Sequence, residues 1–176
     1  MSEISWCPDG PTKVAVSYAI NLFQQMPEKM PVQSYVWDLQ NPNVPELVLQ
    51  GPAPCTNISY NPKSSDMIGG GCYNGLVAIW DVKRHSSQPA MVSPVEKSHS
   101  DPVTHLSWLS MKTGTELITS STDGRVLWWD TRQFSKGPID TLLLTENMDS
   151  REYIVGGSVI EFNAEAGANK FLVGTE

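Results

Sequence analysis

The sequence predicts an all-β protein built from a recurring four-stranded unit. Three observations carry this prediction. Two long segments match each other without a gap, an aromatic residue recurs at a fixed distance before a short apolar run, and the composition is that of strands and turns.

The matching segments are IGGGCYNGLVAIWD (68–81) and LITSSTDGRVLWWD (117–130), which start 49 residues apart. Asn74-Gly75 lies over Asp123-Gly124, Val77 over Val126, and Trp80-Asp81 over Trp129-Asp130. A third pair, Trp37-Asp38, stands earlier in the chain. Upstream, the pieces ISWCP, ISYNP, LSWLS and IEFNA each place an aromatic two residues after an aliphatic: Trp6, Tyr60, Trp108 and Phe162. Eight or nine residues beyond each aromatic, an apolar run begins at Val14, Ile68, Leu117 and Phe171. After each Trp-Asp pair comes a proline and a further apolar run: PELVLQ, PAMVS and PIDTLLL. These runs are too short for ordinary helices, and turn residues bound each of them. Each unit therefore reads as four strands. The first carries the aromatic, the second small or apolar residues, the third Trp-Asp, and the fourth follows the proline.

The first unit departs from the pattern. Val14 to Trp37 spans 23 residues, against 12 from Ile68 to Trp80. The surplus falls in INLFQQMPEKMPVQS (20–34), which reads as a long loop between the second and third strands. The expected units are 1–54, 55–97 and 98–145, followed by a linker and an incomplete fourth unit over 146–176. The last residues, FLVGTE, lie within a second strand, so the sequence is expected to be a piece of a longer protein. Repeat arrays need covered neighbours. The isolated piece is therefore expected to aggregate or to melt without cooperativity.

The glycines invite a nucleotide-binding reading, and the pattern argues against it. A phosphate-binding loop needs a Lys after the last glycine and then a helix. Here Gly75 is followed by LVAIWD, a strand. A dinucleotide motif fails at Asn74, where a glycine is required. Asn74-Gly75 and Asp123-Gly124 read instead as two-residue hairpin turns, where positive φ is needed. Gly69 to Gly71 read as small residues that let neighbouring sheets approach.

Composition narrows the function classes. The chain has 176 residues, enough for one ordinary domain, with 40 % apolar residues, thirteen Gly and thirteen Pro. Its net charge of −7 argues against nucleic acid or an anionic membrane as partner. Cys7, Cys55 and Cys72 form no C-x-x-C pair and are read as reduced, buried thiols. His85, His99 and His105 are not grouped with other ligand types, so no metal site is expected. No cofactor or catalytic residue is assigned either. A triad drawn from Ser121, His99 and Asp123 lacks a nucleophile elbow and an oxyanion hole.

Four strands ending in Trp-Asp, at a period of about 40–45 residues, resemble the WD40 repeat of β-propellers. The fold class is thus an all-β WD40 β-propeller, partial, with about three blades plus the start of a fourth. SHSDPVTHLSW followed by ELITSSTDGRVLWWD is the most similar copy. The resemblance implies a hydrogen-bonded blade network of His99, Thr119 or Ser121, Asp123 and Trp129. The second copy lacks the histidine and carries Asn74, so its network is expected to be incomplete. SYVWDLQNPNVPEL, GGCYNGLVAIWD, KTGTELITSSTDGRVLWWD and KFLVGTE together look like the axonemal outer-arm dynein intermediate chains. That resemblance implies a non-catalytic scaffold in the ciliary axoneme. Its implied partners are the tail of a dynein heavy chain, a second intermediate chain, dynein light chains and, indirectly, the microtubule doublet. The rival reading is a generic WD40 adaptor for peptide motifs. Such readers gather Arg or aromatic residues at the channel, and Arg125, Arg132 and Arg151 do not repeat in register.

Overall fold

The structure is a computed structural model that describes residues 1–20, 30–148, 151–162 and 170–175. Strands β1 (Glu3–Trp6), β2 (Lys13–Ser17), β3 (Gln33–Asp38) and β4 (Leu47–Gln50) form one sheet in that order. Strands β5 (Cys55–Asn61), β6 (Ser64–Cys72), β7 (Val77–Asp81) and β8 (Met91–Val92) form a second. Strands β9 (Val103–Trp108), β10 (Glu116–Ser121), β11 (Arg125–Asp130) and β12 (Asp140–Leu143) form a third. A hairpin of β13 (Thr145–Met148) and β14 (Arg151–Ile154) follows, then the pair β15 (Gly157–Phe162) and β16 (Phe171–Thr175). Every pairing is antiparallel. This is a partial WD40 propeller: three four-stranded blades and the first two strands of a fourth. Much of the long first-unit loop expected over 20–34 lies outside the described residues, and β3 already begins at Gln33.

One rung recurs in the three four-stranded sheets and in the β15–β16 pair. Trp6 lies opposite Val14, Tyr60 opposite Ile68, Trp108 opposite Leu117 and Phe162 opposite Phe171. On the far side of the same rung, Trp37, Trp80 and Trp129 face Val14, Ile68 and Leu117. The aromatic spacing in the sequence is therefore a register, set by hairpins of nearly equal length. The core lies between sheets. Ala15, Val36 and Leu49 pack with Ile58, Tyr60, Ile68 and Trp80. Val77 and Ile79 meet Leu106, Trp108, Leu117 and Trp129. Ile118 and Val126 meet Ile160, with Phe162 and Phe171 beside them. Both faces of the central strands are covered, which is why β7 reads as an unbroken apolar run.

The glycine run serves this stacking. A Cβ on Gly71 would stand 2.5 Å from Val103 Cγ1 of the next sheet, and one on Gly70 would stand 2.7 Å from the Trp80 ring. The turn after it differs from the two-residue form expected. Cys72 accepts from Gly75 N–H at 3.1 Å and donates to the Leu76 carbonyl at 2.8 Å, and only Gly75 takes positive φ, at 81°. The same holds at Gly124, whose N–H bonds the Ser121 carbonyl. These are three-residue turns closed by a glycine bulge, so Asn74 and Asp123 keep ordinary backbone angles. Asn74 contributes its side chain, Oδ1 accepting from Leu76 N–H at 3.3 Å.

The β13–β14 hairpin lies where the sequence reading placed only a linker. TENMDSREY carries no hydrophobic alternation, the signal by which a half-buried strand is recognised.

Candidate functional site

The densest polar cluster is in the third blade. His99 and Thr119 are buried, and the side chain of Asp123 is 3 % exposed. His99 Nδ1 donates to the Asp123 carboxylate at 3.2 Å, and His99 Nε2 lies 2.8 Å from Thr119 Oγ1. Trp129 Nε1 donates to the same Thr119 oxygen at 2.9 Å. Thr119 therefore accepts from the indole and gives its own proton to His99 Nε2. This satisfies all three groups when the imidazole carries its proton on Nδ1. Asp123 also accepts from the backbone N–H of Ser100 at 3.0 Å and of Arg125 at 2.9 Å, and the Arg125 guanidinium closes over it at 2.7 Å. Burial opposes ionisation of Asp123. The bonds from His99, Arg125 and Ser100 outweigh it and hold the carboxyl well below the usual carboxylate range.

Ser121 stands beside this chain of bonds and outside it. Its hydroxyl donates to the Asp101 carbonyl at 3.1 Å and accepts from Asp123 N–H at 3.2 Å. His99 Nε2 is engaged by Thr119, so Ser121 and His99 do not form a nucleophile–base pair.

The second blade has Trp80 where the third has Trp129, but Gly70 where the third has Thr119. Trp80 Nε1 is buried with no hydrogen-bond partner among the described residues, and so is Ser34 Oγ. The sulfurs of Cys55 and Cys72, 3.9 Å apart, pack here instead. The contact with Cys55, together with burial, pushes the Cys72 thiol well above its usual range, so it stays protonated.

The three aspartates of the Trp-Asp pairs share one task. Asp38 Oδ1 accepts from Gln40 N–H at 2.9 Å, Asp81 Oδ1 from Lys83 N–H at 3.1 Å, and Asp130 Oδ1 from Arg132 N–H at 2.9 Å. Each opens the turn that leaves the third strand. The Arg132 guanidinium also holds the Asp130 carboxyl below its usual range. Trp37 is only partly buried and packs against Tyr35, with ring centroids 6.1 Å apart.

The seams between sheets use residues that the sequence reading did not single out. Ser2 Oγ donates to the Cys55 carbonyl at 3.1 Å, Thr56 Oγ1 reaches the Val103 carbonyl, and Thr104 Oγ1 donates to the Gly157 carbonyl at 2.6 Å. In each case a hydroxyl on a first strand, or for Ser2 just before it, reaches the first strand of the next sheet. Ser2, Thr56 and Thr104 all stand four residues before the unit's aromatic, as does Ser158. That spacing was the available signal. Bonds also run between neighbouring sheets through other side chains. Trp108 Nε1 donates to the Ser59 carbonyl at 3.1 Å, and Tyr60 N–H donates to Ser5 Oγ at 2.9 Å. Leu106 N–H donates to Asn57 Oδ1 at 3.2 Å, and Ile160 N–H to His105 Nδ1 at 3.3 Å. Burial lowers the His105 pKa, in keeping with its role as an acceptor. His85 is exposed and lies apart from these seams.

The family model described as "Dynein axonemal intermediate chain 3 WD40 domain" matches residues 1–92, just over half of the chain. This chain belongs to the dynein axonemal intermediate chain family. It is 44 % identical over 176 residues to "Dynein axonemal intermediate chain 2" of Mus musculus, covering 99 % of this chain and 28 % of that protein. It is 44 % identical over 176 residues to "Dynein intermediate chain 3, ciliary" of Heliocidaris crassispina, covering 99 % of this chain and 29 % of that protein. The "Dynein, 70 kDa intermediate chain, flagellar outer arm" of Chlamydomonas reinhardtii is 42 % identical over 176 residues, with 99 % and 30 % covered. The chain thus spans less than a third of the length of these curated relatives.

Within this intermediate-chain propeller, the polar side chains picked out by the sequence serve blade geometry. Among the described residues, no three His, Cys, Asp or Glu side chains are grouped to hold a metal ion. No helix among them is long and apolar enough to cross a membrane. Open grooves run along two of the seams between sheets. One of about 220 Å³ lies between the first and second sheets, lined by Cys7, Asp9, Lys13, Tyr60 and Asp66. Such a groove suits contact with a protein surface better than enclosure of a small molecule.

Proposed function

We propose that this chain is a non-catalytic scaffold subunit of a ciliary outer-arm dynein, resident in the axoneme. Its propeller surface binds the tail of a dynein heavy chain and helps to assemble and position the arm on the microtubule doublet. A second intermediate chain and dynein light chains complete its set of partners. Force and ATP hydrolysis fall to the heavy chain. The observation that carries this reading is identity of 42 % or more, over 99 % of the chain, to relatives named for cilia and for the flagellar outer arm. The geometry supports it in a second way. The His99–Asp123 cluster and the glycine run are consumed inside and between blades, leaving the rigidly held exterior loops for partners.

The test is co-fractionation. A tagged chain is expressed in ciliated cells, axonemes are isolated and salt-extracted, and the extract is resolved on a density gradient. The tagged chain is expected to sediment with the outer-arm heavy chain. A tagged chain that is stable yet sediments apart from it overturns the reading and favours a peptide-reading adaptor.

A further inference from the structure

The second blade lacks the polar chain that ties the third together, and a pair of thiols stands at one end of it. Cys55 opens β5 and Cys72 closes β6, and the two lie directly opposite each other in the antiparallel ladder. Their sulfurs are 3.9 Å apart, both side chains are buried, and both are free thiols. The matching rung of the third blade pairs Val103 with Ser121, so the repeat itself does not require sulfur here. Directly opposed residues of an antiparallel pair hold their Cα atoms about 4.5–5.5 Å apart. That lies inside the range of about 4.4–6.8 Å that a disulfide spans. The backbone is thus placed for a bond, and side-chain rotation is what brings the sulfurs to about 2.05 Å.

We propose that Cys55 and Cys72 form a reversible disulfide when a small peroxide oxidises them, fastening the first strand of the second blade to its second. Cys72 keeps its proton, so Cys55 is the sulfur that attacks. It takes one oxygen of hydrogen peroxide, the O–O bond breaks, and the other oxygen leaves as water, giving a sulfenic acid. The Cys72 sulfur then displaces that oxygen. The S–O bond breaks, the S–S bond forms, and a second water leaves with the Cys72 proton. Two thiols are oxidised by two electrons and one peroxide is reduced to two waters. A free thiol reverses the bond by exchange. Access comes through the end of the blade. The rung lies at the far end of β5–β6 from the turn at Pro62–Lys63, beside Tyr73, whose N–H donates to the Pro54 carbonyl. Strand ends open more readily than strand centres, so peroxide reaches the pair when this end frays. Closing the bond suppresses that fraying, in the blade where Gly70 offers Trp80 no hydroxyl.

Lys63 stands between the two cysteines, so trypsin separates them into peptides ending at Lys63 and at Lys83, each with one cysteine. The full-length protein is purified reduced and exposed to hydrogen peroxide. Its remaining thiols are alkylated, and it is digested without reductant. Mass spectrometry is expected to recover the two peptides joined, two hydrogens lighter than their sum, and dithiothreitol to release them. Amide hydrogen exchange in β5 and β6 is expected to slow several-fold on oxidation. The double variant Cys55→Val, Cys72→Ser carries the third blade's own pair at this rung, and its exchange is expected not to respond to peroxide. Recovery of the two peptides singly, with both cysteines alkylated, overturns the proposal. So does Cys55 carried on to sulfinic acid in place of the bond. A slowing of exchange that the double variant shows equally overturns it as well. The peptide measurement is made on the unmodified protein and stands whether or not the double variant folds.

Discussion

Trp129 donates its indole N–H to Thr119 Oγ1 across 2.9 Å, tying the third strand of its sheet to the second. Trp80 occupies the same rung one blade earlier and meets Gly70, which has no hydroxyl to offer. Two tryptophans in matched sequence positions thus have opposite polar fates. Trp129 is an anchor of a closed network, and Trp80 is a packing residue whose N–H is left without a partner among the described residues. In the blade that contains Thr119, side-chain hydrogen bonds tie the tryptophan to the turn aspartate through His99. In the blade that contains Gly70, close packing of the Trp80 ring takes the place of that network.

Replacing Thr119 by Val preserves shape and removes both bonds. Trp129 Nε1 and His99 Nε2 then stay buried and unpaired, at a cost of about 1–3 kcal/mol for each stranded group. Thr119→Val is expected to lower the urea midpoint clearly, and Thr119→Ser, which keeps the oxygen, to lower it little. Equal midpoints for the two variants would show that the hydroxyl contributes nothing.

Asp123 makes stability depend on pH in a predictable direction. Its carboxyl titrates below the usual range in the folded chain, against about 3.9 when unfolded. Above that unfolded value both states are ionised and the stabilisation is fully present. As the pH falls below about 4, the unfolded state takes up the proton first, so stability is lost progressively toward the folded pKa. Asp123→Asn removes this term. Unfolding midpoints measured from pH 6 down to pH 2.5 should fall more steeply for the unmodified chain than for Asp123→Asn. Parallel curves would contradict the assignment.

The glycine run can be tested by paired substitution. Gly71→Ala places a methyl group 2.5 Å from Val103 Cγ1, an overlap expected to cost about 1–3 kcal/mol. Val103→Ala alone opens a cavity and also destabilises. The double variant should be more stable than the sum of the two losses implies, because each change relieves the other. Additive losses in urea unfolding would show that the two sheets do not meet at this point.

The repeat was legible because one rung recurs. Trp6, Tyr60, Trp108 and Phe162 sit at nearly constant distance from their partners, and a hairpin register is a property of local sequence. The choice between Thr119 and Ser121 was not legible. The two lie two residues apart on the same strand and point to one face, and only the position of His99, which precedes another strand, separates them. The turn at Gly75 was misjudged by one residue, because Asn-Gly is compatible with both turn lengths and only the backbone angles decide. Ser2, Thr56 and Thr104 were present at constant spacing all along. Hydroxyl residues are common in strands, and nothing local marks a bond to another sheet. The β13–β14 hairpin left no trace in the sequence, since its strands carry charge without alternation.

Thr104 offers the most direct reading of how tightly neighbouring blades are coupled. Its hydroxyl donates to the Gly157 carbonyl at 2.6 Å and accepts from Ser120 Oγ at 3.0 Å, so one atom joins β9, β10 and β15. Thr104→Val keeps the side-chain shape and removes the forward bond, for a net loss of about 0.5–1.5 kcal/mol. Because the bonds of this hydroxyl run to β10 and β15, the loss should be local. Amide hydrogen exchange is expected to speed up by roughly two- to tenfold in β15 and β16, which open as a unit once the seam is weakened. Exchange in β6 and β7 should be unchanged. Acceleration spread evenly over all sheets would mean that the blades unfold as one body and that the seam hydroxyl has no separate role. No change in β15 would mean that apolar contact of Ile160 with Ile118 and Val126 alone holds the fourth blade in place.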